Sequence, residues 1–362
     1  MKFRLLFFLC LPSLVFSFAL DDLSLEEKVG QMLIVHFHGY EANEDAKQLI
    51  QEAKVGGFIY YNWSNGLDSK EQVKQLSQSL QVLSKKWPLF LTVDQEGGRV
   101  QRLRNGFIKI PSALEIATTL SPSKAEELAY SVGLELKEAG ININLAPVVD
   151  VNVNPANPVI GNRSFGNNPE TVITYGGAMM KGYKRAGIIS TLKHFPGHGD
   201  VTIDSHFGLP IVNKSRKDLD QVELKPFQEL SQEAEAVVTA HILFPTLDAG
   251  QPATSSSKIL KTLLRKELGF QGVVLSDSLV MKGILDRYAS VEEAAIASIL
   301  AGCDIIVLGG AQLTQGVKEF ELQPKDIFRI HRAIVNAVQK GIIPEDSIDE
   351  AVERILTLKE KL

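Results

Sequence analysis

Eight short, nearly continuous apolar runs punctuate the chain: Met32–Phe37, Gly57–Tyr61, Leu89–Val93, Ile143–Val149, Ile188–Leu192, Ala236–Ala240, Gly272–Leu275 and Asp304–Leu308. Runs of this kind, without polar alternation, are the pattern of parallel strands covered on both faces. Helical spacing fills most of the intervals. Over Gln72–Leu83, Val73, Leu76, Leu80 and Leu83 share one stripe. Ser123–Ala139 opens behind Pro122 and stops at Gly140, and Pro169–Arg185 stops at Gly187. Asp218–Glu235, Ser256–Leu268 and Ser290–Ala301 follow; the last two end at Gly269 and Gly302, as a left-handed cap requires. Lys325–Gln339 and Asp346–Lys361 close the chain. Strand and helix alternating in this way predict an α/β fold, a (β/α)8 TIM-type barrel. No repeat, low-complexity tract or Pro/Gly/Ser-rich linker divides residues 20–362, so one barrel domain is expected.

The first nineteen residues follow a different rule. Lys2 and Arg4 precede an apolar stretch from Leu5 to Phe18, and Ser17-Phe18-Ala19 is a small-x-small cleavage sequence. This is the layout of a secretory signal peptide over residues 1–19, and it predicts export to the periplasm or the cell exterior. An uncleaved anchor is the alternative. The run is shorter than the ~20 residues of a spanning helix, and no other segment is as apolar, so no stable membrane insertion is expected after cleavage. Cleavage would remove Cys10 and leave Cys303 alone, before an apolar run, as a buried structural thiol.

Composition narrows the partners. Hydrophobic residues make up 44% and charged residues 22% of 362, ordinary globular usage that excludes disorder, collagen and coiled coil. A net charge of −5 carries no electrostatic footprint for nucleic acid. Two cysteines exclude a disulfide scaffold and a Cys-based zinc site.

A barrel collects its chemistry at the C-terminal ends of its strands. After the third run come Asp94-Gln95-Glu96-Gly97-Gly98-Arg99, and after the fourth Asp150, Asn152 and Asn154. Lys193-His194 follow the fifth, His241 the sixth and Asp277 the seventh. Residues 193–206 hold three of the seven histidines. His194 and His198 stand four apart, which on a helix could hold a metal, but Pro196, Gly197 and Gly199 argue against a helix there. No metal and no cofactor are expected. Asp204 and His206, two apart on an extended segment, would share a face. A carboxylate beside an imidazole fixes its tautomer and stabilises its cation, which suits a proton shuttle. A turn whose histidines only bond the backbone is the plainer alternative. Asp277 leaves a buried strand for the mouth, as a nucleophile or as a helix N-cap. A carboxylate nucleophile with a separate acid/base is the equipment of a retaining glycosidase.

These blocks resemble one family. Lys193-His194-Phe195-Pro196-Gly197-His198-Gly199-Asp200 with Asp204-Ser205-His206 is similar to the signature of glycoside hydrolase family 3 β-N-acetylhexosaminidases. Asp94–Val100, Asn162-Arg163-Ser164-Phe165-Gly166 and Ser276–Lys282 match the family's other blocks in order, and the resemblance runs from Ser24 to Leu362. It implies a barrel fold, Asp277 as nucleophile, and the Asp204–His206 dyad in place of a second carboxylate. It also implies that Asp94, Arg102, Arg163, Lys193 and His194 hold the non-reducing sugar. The implied activity is exo-acting, retaining removal of terminal β-linked N-acetylglucosamine from peptidoglycan fragments (muropeptides) or chitin oligosaccharides, by a monomer. Compact Gram-negative relatives work in the cytoplasm; the leader points here to export. Ser278 stands where many relatives carry Ala, which bears only on fine positioning. The second domain that supplies a Glu acid/base in the glucosidase branch is absent from this sequence, which argues against a typical β-glucosidase. A phosphorylase or broader β-glycosidase using the same residues, and a periplasmic sugar-binding protein, are the competing functions.

Overall fold

The computed structural model describes residues 20–314 and 317–362; the expected leader over 1–19 lies outside the described residues. Each of the eight apolar runs gives a parallel strand, the fifth extending past its expected end: β1 (Leu33–Val35), β2 (Gly57–Ile59), β3 (Phe90–Val93), β4 (Ile143–Asn144), β5 (Ile189–Phe195), β6 (Ala236–Thr239), β7 (Val273–Leu275) and β8 (Ile306–Leu308). They neighbour one another in the order β8-β1-β2-β3-β4-β5-β6-β7. The parallel bridge Leu275↔Ile305 brings β7 to the start of β8 and closes the circle. Asp304 seals this seam from below. Its Oδ2 accepts the Val274 N–H at 2.7 Å, and Arg265 and Arg354 hold its two oxygens at 2.5 and 2.9 Å.

Three elements differ from the sequence reading, two of them at a proline. The fourth strand pairs only over Ile143–Asn144, because Pro147 lacks the N–H that would continue it; a single bridge, Val148↔Lys193, follows. The helix expected over Asp218–Glu235 is two, Arg216–Gln221 and Lys225–Leu230, since Pro226 has no N–H to return to Val222. The segment expected as an ordinary helix over Ser256–Leu268 winds as a π-helix from Lys258 to Glu267, with the Leu268 N–H on the Leu263 carbonyl at 2.9 Å. Short helices such as Leu25–Gln31, Glu44–Gln51 and Ala113–Thr119 fall between the expected elements.

The two ends of the fold meet beneath the barrel. Helix Leu25–Gln31, just ahead of β1, packs on Pro324–Gln339 and Glu345–Lys359. Lys28 Nζ lies 2.6 Å from Asp349, and His331 Nε2 bonds the Glu26 carbonyl at 2.8 Å. Lys359 reaches under the strands, donating to Gln31 Oε1 at 2.7 Å and the Gly56 carbonyl at 2.9 Å. Its ammonium sits 4.8 Å from the Phe90 ring centre, and burial pushes its pKa down to about 7. Cys303 is buried, as expected. Among the described residues, no helix is long and apolar enough to cross a membrane.

Candidate active site

At the opposite end, the strands open into a cavity of about 260 Å³ whose lining includes Asp94, Arg102, Arg163, Lys193, His194, His206 and Asp277. It therefore brings together seven of the eight residues singled out from the sequence; the eighth, Asp204, is bonded to His206.

β3 delivers Asp94 at its end. The chain then folds back as a short hairpin, Gln95–Gly97 against Val100–Gln101. Gly97 and Gly98 make the reversal with φ of +107° and +54°, and a Cβ on Gly97 would stand 2.3 Å from the Pro111 carbonyl oxygen. The hairpin carries Glu96 into the site. Lys193, from β5, places its ammonium 2.9 Å from Asp94 Oδ1 and 2.6 Å from Glu96 Oε1. Arg163 grips Glu96 with two nitrogens, Nε at 2.8 Å and Nη2 at 2.9 Å, while Nη1 donates to the Val159 carbonyl at 3.2 Å. Arg102 Nη2 lies 3.5 Å from Asp94 Oδ2.

Burial opposes ionisation throughout this cluster, and the opposite charges outweigh it. Lys193, Arg102 and Arg163 hold the Asp94 carboxyl far below the usual range. Arg163 and Lys193 bring Glu96 down to about 2. Asp94 and Glu96 in turn hold the Lys193 ammonium above its ordinary value. The result is a charged frame of acceptors and donors fixed before a ligand arrives, suited to gripping hydroxyls in a set geometry.

His194 is held from behind. Buried Asp150 accepts its Nδ1–H at 2.7 Å, its backbone N–H at 3.1 Å and the His198 N–H at 2.7 Å. The Nδ1 proton leaves Nε2 as the nitrogen on the far edge of the ring. His198 is buried, pushed down to about 4 and therefore neutral, with Nε2 3.1 Å from Ser205 Oγ. Asp150 thus engages Nδ1 of His194, and Ser205 Nε2 of His198.

The loop beyond His198 is clamped to its surroundings. A Cβ on Gly199 would fall 1.7 Å from the Val151 carbonyl oxygen, so only glycine permits this approach. Lys214 bridges Asp200 at 2.9 Å and Glu223 at 2.6 Å. Asp204 and His206 then come together, though not on the extended segment expected. The chain turns, with the Phe207 N–H on the Asp204 carbonyl at 2.9 Å. One carboxylate oxygen, Asp204 Oδ1, takes both N–H groups of His206, Nδ1 at 2.7 Å and the backbone at 2.9 Å. Burial works against the imidazolium, but the bond to Asp204 and the charges of Asp204 and Asp277 raise the His206 pKa above its ordinary value.

Asp277 leaves β7 past Ser276 and caps no helix; its Oδ1 accepts the N–H of Ser278 at 2.7 Å. Burial disfavours its charge, yet His241, His194 and His206 hold its carboxyl below the usual carboxylate range. His241 itself is buried and pushed down; its Nε2 lies 2.9 Å from the Ser278 carbonyl and its Nδ1 2.8 Å from Thr254 Oγ1.

Glu96 and Asp150 were not assigned roles by sequence. Both were visible as carboxylates just past a strand end, but their partners lie 67 and 44 positions away. His241 was visible only as a polar residue after the sixth run.

Residues 24–358 match the family model for the glycosyl hydrolase family 3 N terminal domain. The chain is 35% identical over 379 residues to Beta-hexosaminidase A of Pseudoalteromonas piscicida, a match covering 94% of this chain and 62% of that protein. It is 34% identical over 305 residues to Beta-hexosaminidase of Haemophilus influenzae, covering 81% and 84%. A solved glycoside hydrolase family 3 beta-N-acetylglucosaminidase from Paenibacillus sp. str. FPU-7 superposes with a TM-score of 0.87 at 41% identity, over 94% of this chain and 62% of that one. The chain thus spans less than two thirds of the length of the first and third of these relatives. With the barrel, the site blocks and the family match extending over nearly all its described residues, the chain belongs to glycosyl hydrolase family 3.

Proposed function

We propose that the chain is an exo-acting, retaining β-N-acetylglucosaminidase. The observation that carries the reading is one cavity lined by both an ionised Asp277 and a His206 whose other nitrogen is tied to Asp204. Asp277 attacks the anomeric carbon while the His206 imidazolium gives its Nε2 proton to the departing glycosidic oxygen. The bond to the aglycone breaks as the bond to the Asp277 carboxylate forms. A water then attacks the anomeric carbon, His206 takes its proton, and the Asp277 ester is released with retained configuration. Asp204 keeps the imidazole oriented and favours its cation in the first step.

A cavity of about 260 Å³, just under the ~300–1,000 Å³ usual for ligand pockets, supports an exo mode that takes one sugar ring. Asp94, Arg102, Arg163, Lys193 and His194, all in the cavity lining, are the groups proposed to hold the sugar. The N-acetylglucosamine preference comes from the relatives named above. Peptidoglycan fragments in the periplasm, or chitin oligosaccharides, are the substrates proposed, the compartment resting on the leader sequence.

The test uses purified protein with aryl β-N-acetylglucosaminide and aryl β-glucoside, each with and without phosphate. The expected result is preferential cleavage of the N-acetylglucosaminide, with free β-anomer as first product by proton NMR and no dependence on phosphate. A sugar 1-phosphate as product, an initial α-anomer, or preference for the glucoside overturns the assignment. Digestion of muropeptides against chitin oligosaccharides then ranks the natural substrates.

A further inference from the structure

The helix that follows Asp277 is short and carries no side-chain cap. Lys282–Leu285 starts behind Met281, which has no polar group to offer it. The first amides of a helix have no acceptor within the helix itself. Gly283, its second residue, sends its N–H outward to the Ser205 carbonyl at 2.9 Å. Ser205 stands between Asp204 and His206. A backbone donor on the segment that carries Asp277 therefore holds the middle of the turn that carries the Asp204–His206 pair.

This approach depends on a missing side chain. A Cβ on Gly283 would stand 2.8 Å from the Ser205 carbonyl oxygen, 3.1 Å from that of Gly208 and 3.3 Å from the His241 Cβ. The two oxygens belong to the turn. The third atom belongs to the histidine whose Nε2 bonds the Ser278 carbonyl. A carbon seldom comes closer to a carbonyl oxygen than ~3.3 Å, so a methyl group here would push the turn away by about half an ångström. Within a helix alanine is otherwise the better residue. The contact with the turn is what calls for glycine at this position.

Both sides of the contact are held stiffly. Between Asp277 and Gly283 the chain buries Leu279, Val280 and Met281. The Met281 N–H returns to the Ser278 carbonyl at 3.2 Å, and the Leu279 N–H reaches the Val307 carbonyl of β8 at 3.0 Å. On the other side Ser205 is 2% exposed, and its Oγ shares a 3.1 Å hydrogen bond with His198 Nε2. Asp150 fixes His198 in turn, accepting its N–H at 2.7 Å. Ser205 is thus pinned from two directions, by its hydroxyl to the chain beyond β5 and by its carbonyl to the chain beyond β7.

We propose that Gly283 and Ser205 are positioning residues: the bare α-carbon of Gly283 seats the Asp204-Ser205-His206 turn on the segment that carries Asp277, so one backbone contact sets acid/base against nucleophile. Neither residue supplies a proton or an electron pair to the reaction. The inference rests on the acid/base role proposed above for His206.

The experiment measures kcat/KM, which reports the first step, for dinitrophenyl and phenyl β-N-acetylglucosaminides. Dinitrophenolate leaves unaided, whereas phenolate needs the proton from His206. In Gly283→Ala the phenyl substrate should lose on the order of 10–100-fold, the scale of a misplacement of about 1 Å or less, and the dinitrophenyl substrate far less. A general loss of packing would slow both alike. Placed on His206→Ala, the same substitution should cost the phenyl substrate nothing further, because no imidazole is left to misplace. Ser205→Ala should show the same split at smaller size, since the carbonyl contact survives. Circular dichroism melts establish that each variant is folded; should Gly283→Ala not fold, Ser205→Ala carries the test by the same criteria. Wild-type rates, equal losses on the two substrates, or a further loss on top of His206→Ala overturns the seat while leaving the acid/base role standing. Wild-type rates on the phenyl substrate in His206→Ala itself remove that role, and this inference with it.

Discussion

Asp204 Oδ1 accepts from His206 twice, from Nδ1 at 2.7 Å and from the backbone N–H at 2.9 Å. The two bonds close a small ring within one turn, so the carboxylate sets both the tautomer and the direction of the imidazole. Nε2 is then the nitrogen left for proton transfer.

This pairing predicts a split between substrates. His206→Ala should lower turnover of poor leaving groups by ~10²–10⁴-fold. An activated aryl group departs without an acid, so its first step should survive far better. Release from Asp277 then becomes limiting, and intact-mass measurement should find a glycosyl adduct on Asp277. Asp204→Asn should give a milder form of the same split. Equal losses for good and poor leaving groups, with no adduct, would remove His206 from the acid/base role.

The pH dependence of kcat/KM should be bell-shaped. The acid limb belongs to Asp277, which must be ionised and whose pKa lies below the ordinary carboxylate range. The alkaline limb belongs to His206, which must be protonated in the first step and whose pKa is raised. In Asp204→Asn the alkaline limb should move to lower pH, because the charge that raises His206 is gone, while the acid limb stays. An alkaline limb unmoved in that variant assigns it to another group.

Glu96→Gln should affect both binding and stability. It strips a bidentate partner from Arg163, whose side chain is 10% exposed, and one of two partners from Lys193. Breaking a buried pair from one side costs ~3–5 kcal/mol, measurable as a fall in unfolding free energy in urea. KM should rise more than kcat falls if, as proposed, Glu96 positions the groups that hold the sugar. A loss below ~1 kcal/mol, the range of a surface pair, would show that the frame does not depend on it.

What the sequence disclosed follows from periodicity. Each barrel strand is covered on both faces, so Leu89–Val93 or Ala236–Ala240 stands out as an unbroken apolar run. Once those runs imply a barrel, the residues after them are already a site. The Arg163–Glu96 grip is different in kind, because it joins residues 67 positions apart that no local rhythm connects. The Asp204–His206 contact was legible as a pair but not as a turn, since spacing alone does not distinguish the two backbones. The hairpin ending on Glu321 was invisible for a related reason: its strands form a two-stranded sheet of their own, and residues 311–321 carry no unbroken apolar run.

Lys359 gives a stability prediction. Burial lowers its pKa to about 7 in the folded chain, against ~10.4 when unfolded. Between these values the unfolded chain holds a proton that the folded chain lacks, so stability from this group rises with pH from about 7 to about 10. Below pH 7 its full burial cost is present. Urea midpoints at pH 7 and 9.5 should differ less in Lys359→Met than in the wild type. An unchanged difference would place the titration elsewhere.

The tie between Lys28 and Asp349 makes the two ends of the fold neighbours, at the pole of the barrel away from the pocket. Anything joined to either end, whether a tether, a fusion partner or a second module, would hang from that pole and leave sugar entry unobstructed. The barrel is in this sense a cartridge with its socket at one end and its working face at the other. The same adjacency makes it a good subject for circular permutation: a short linker could join the old ends, and new ones could open in an exposed loop.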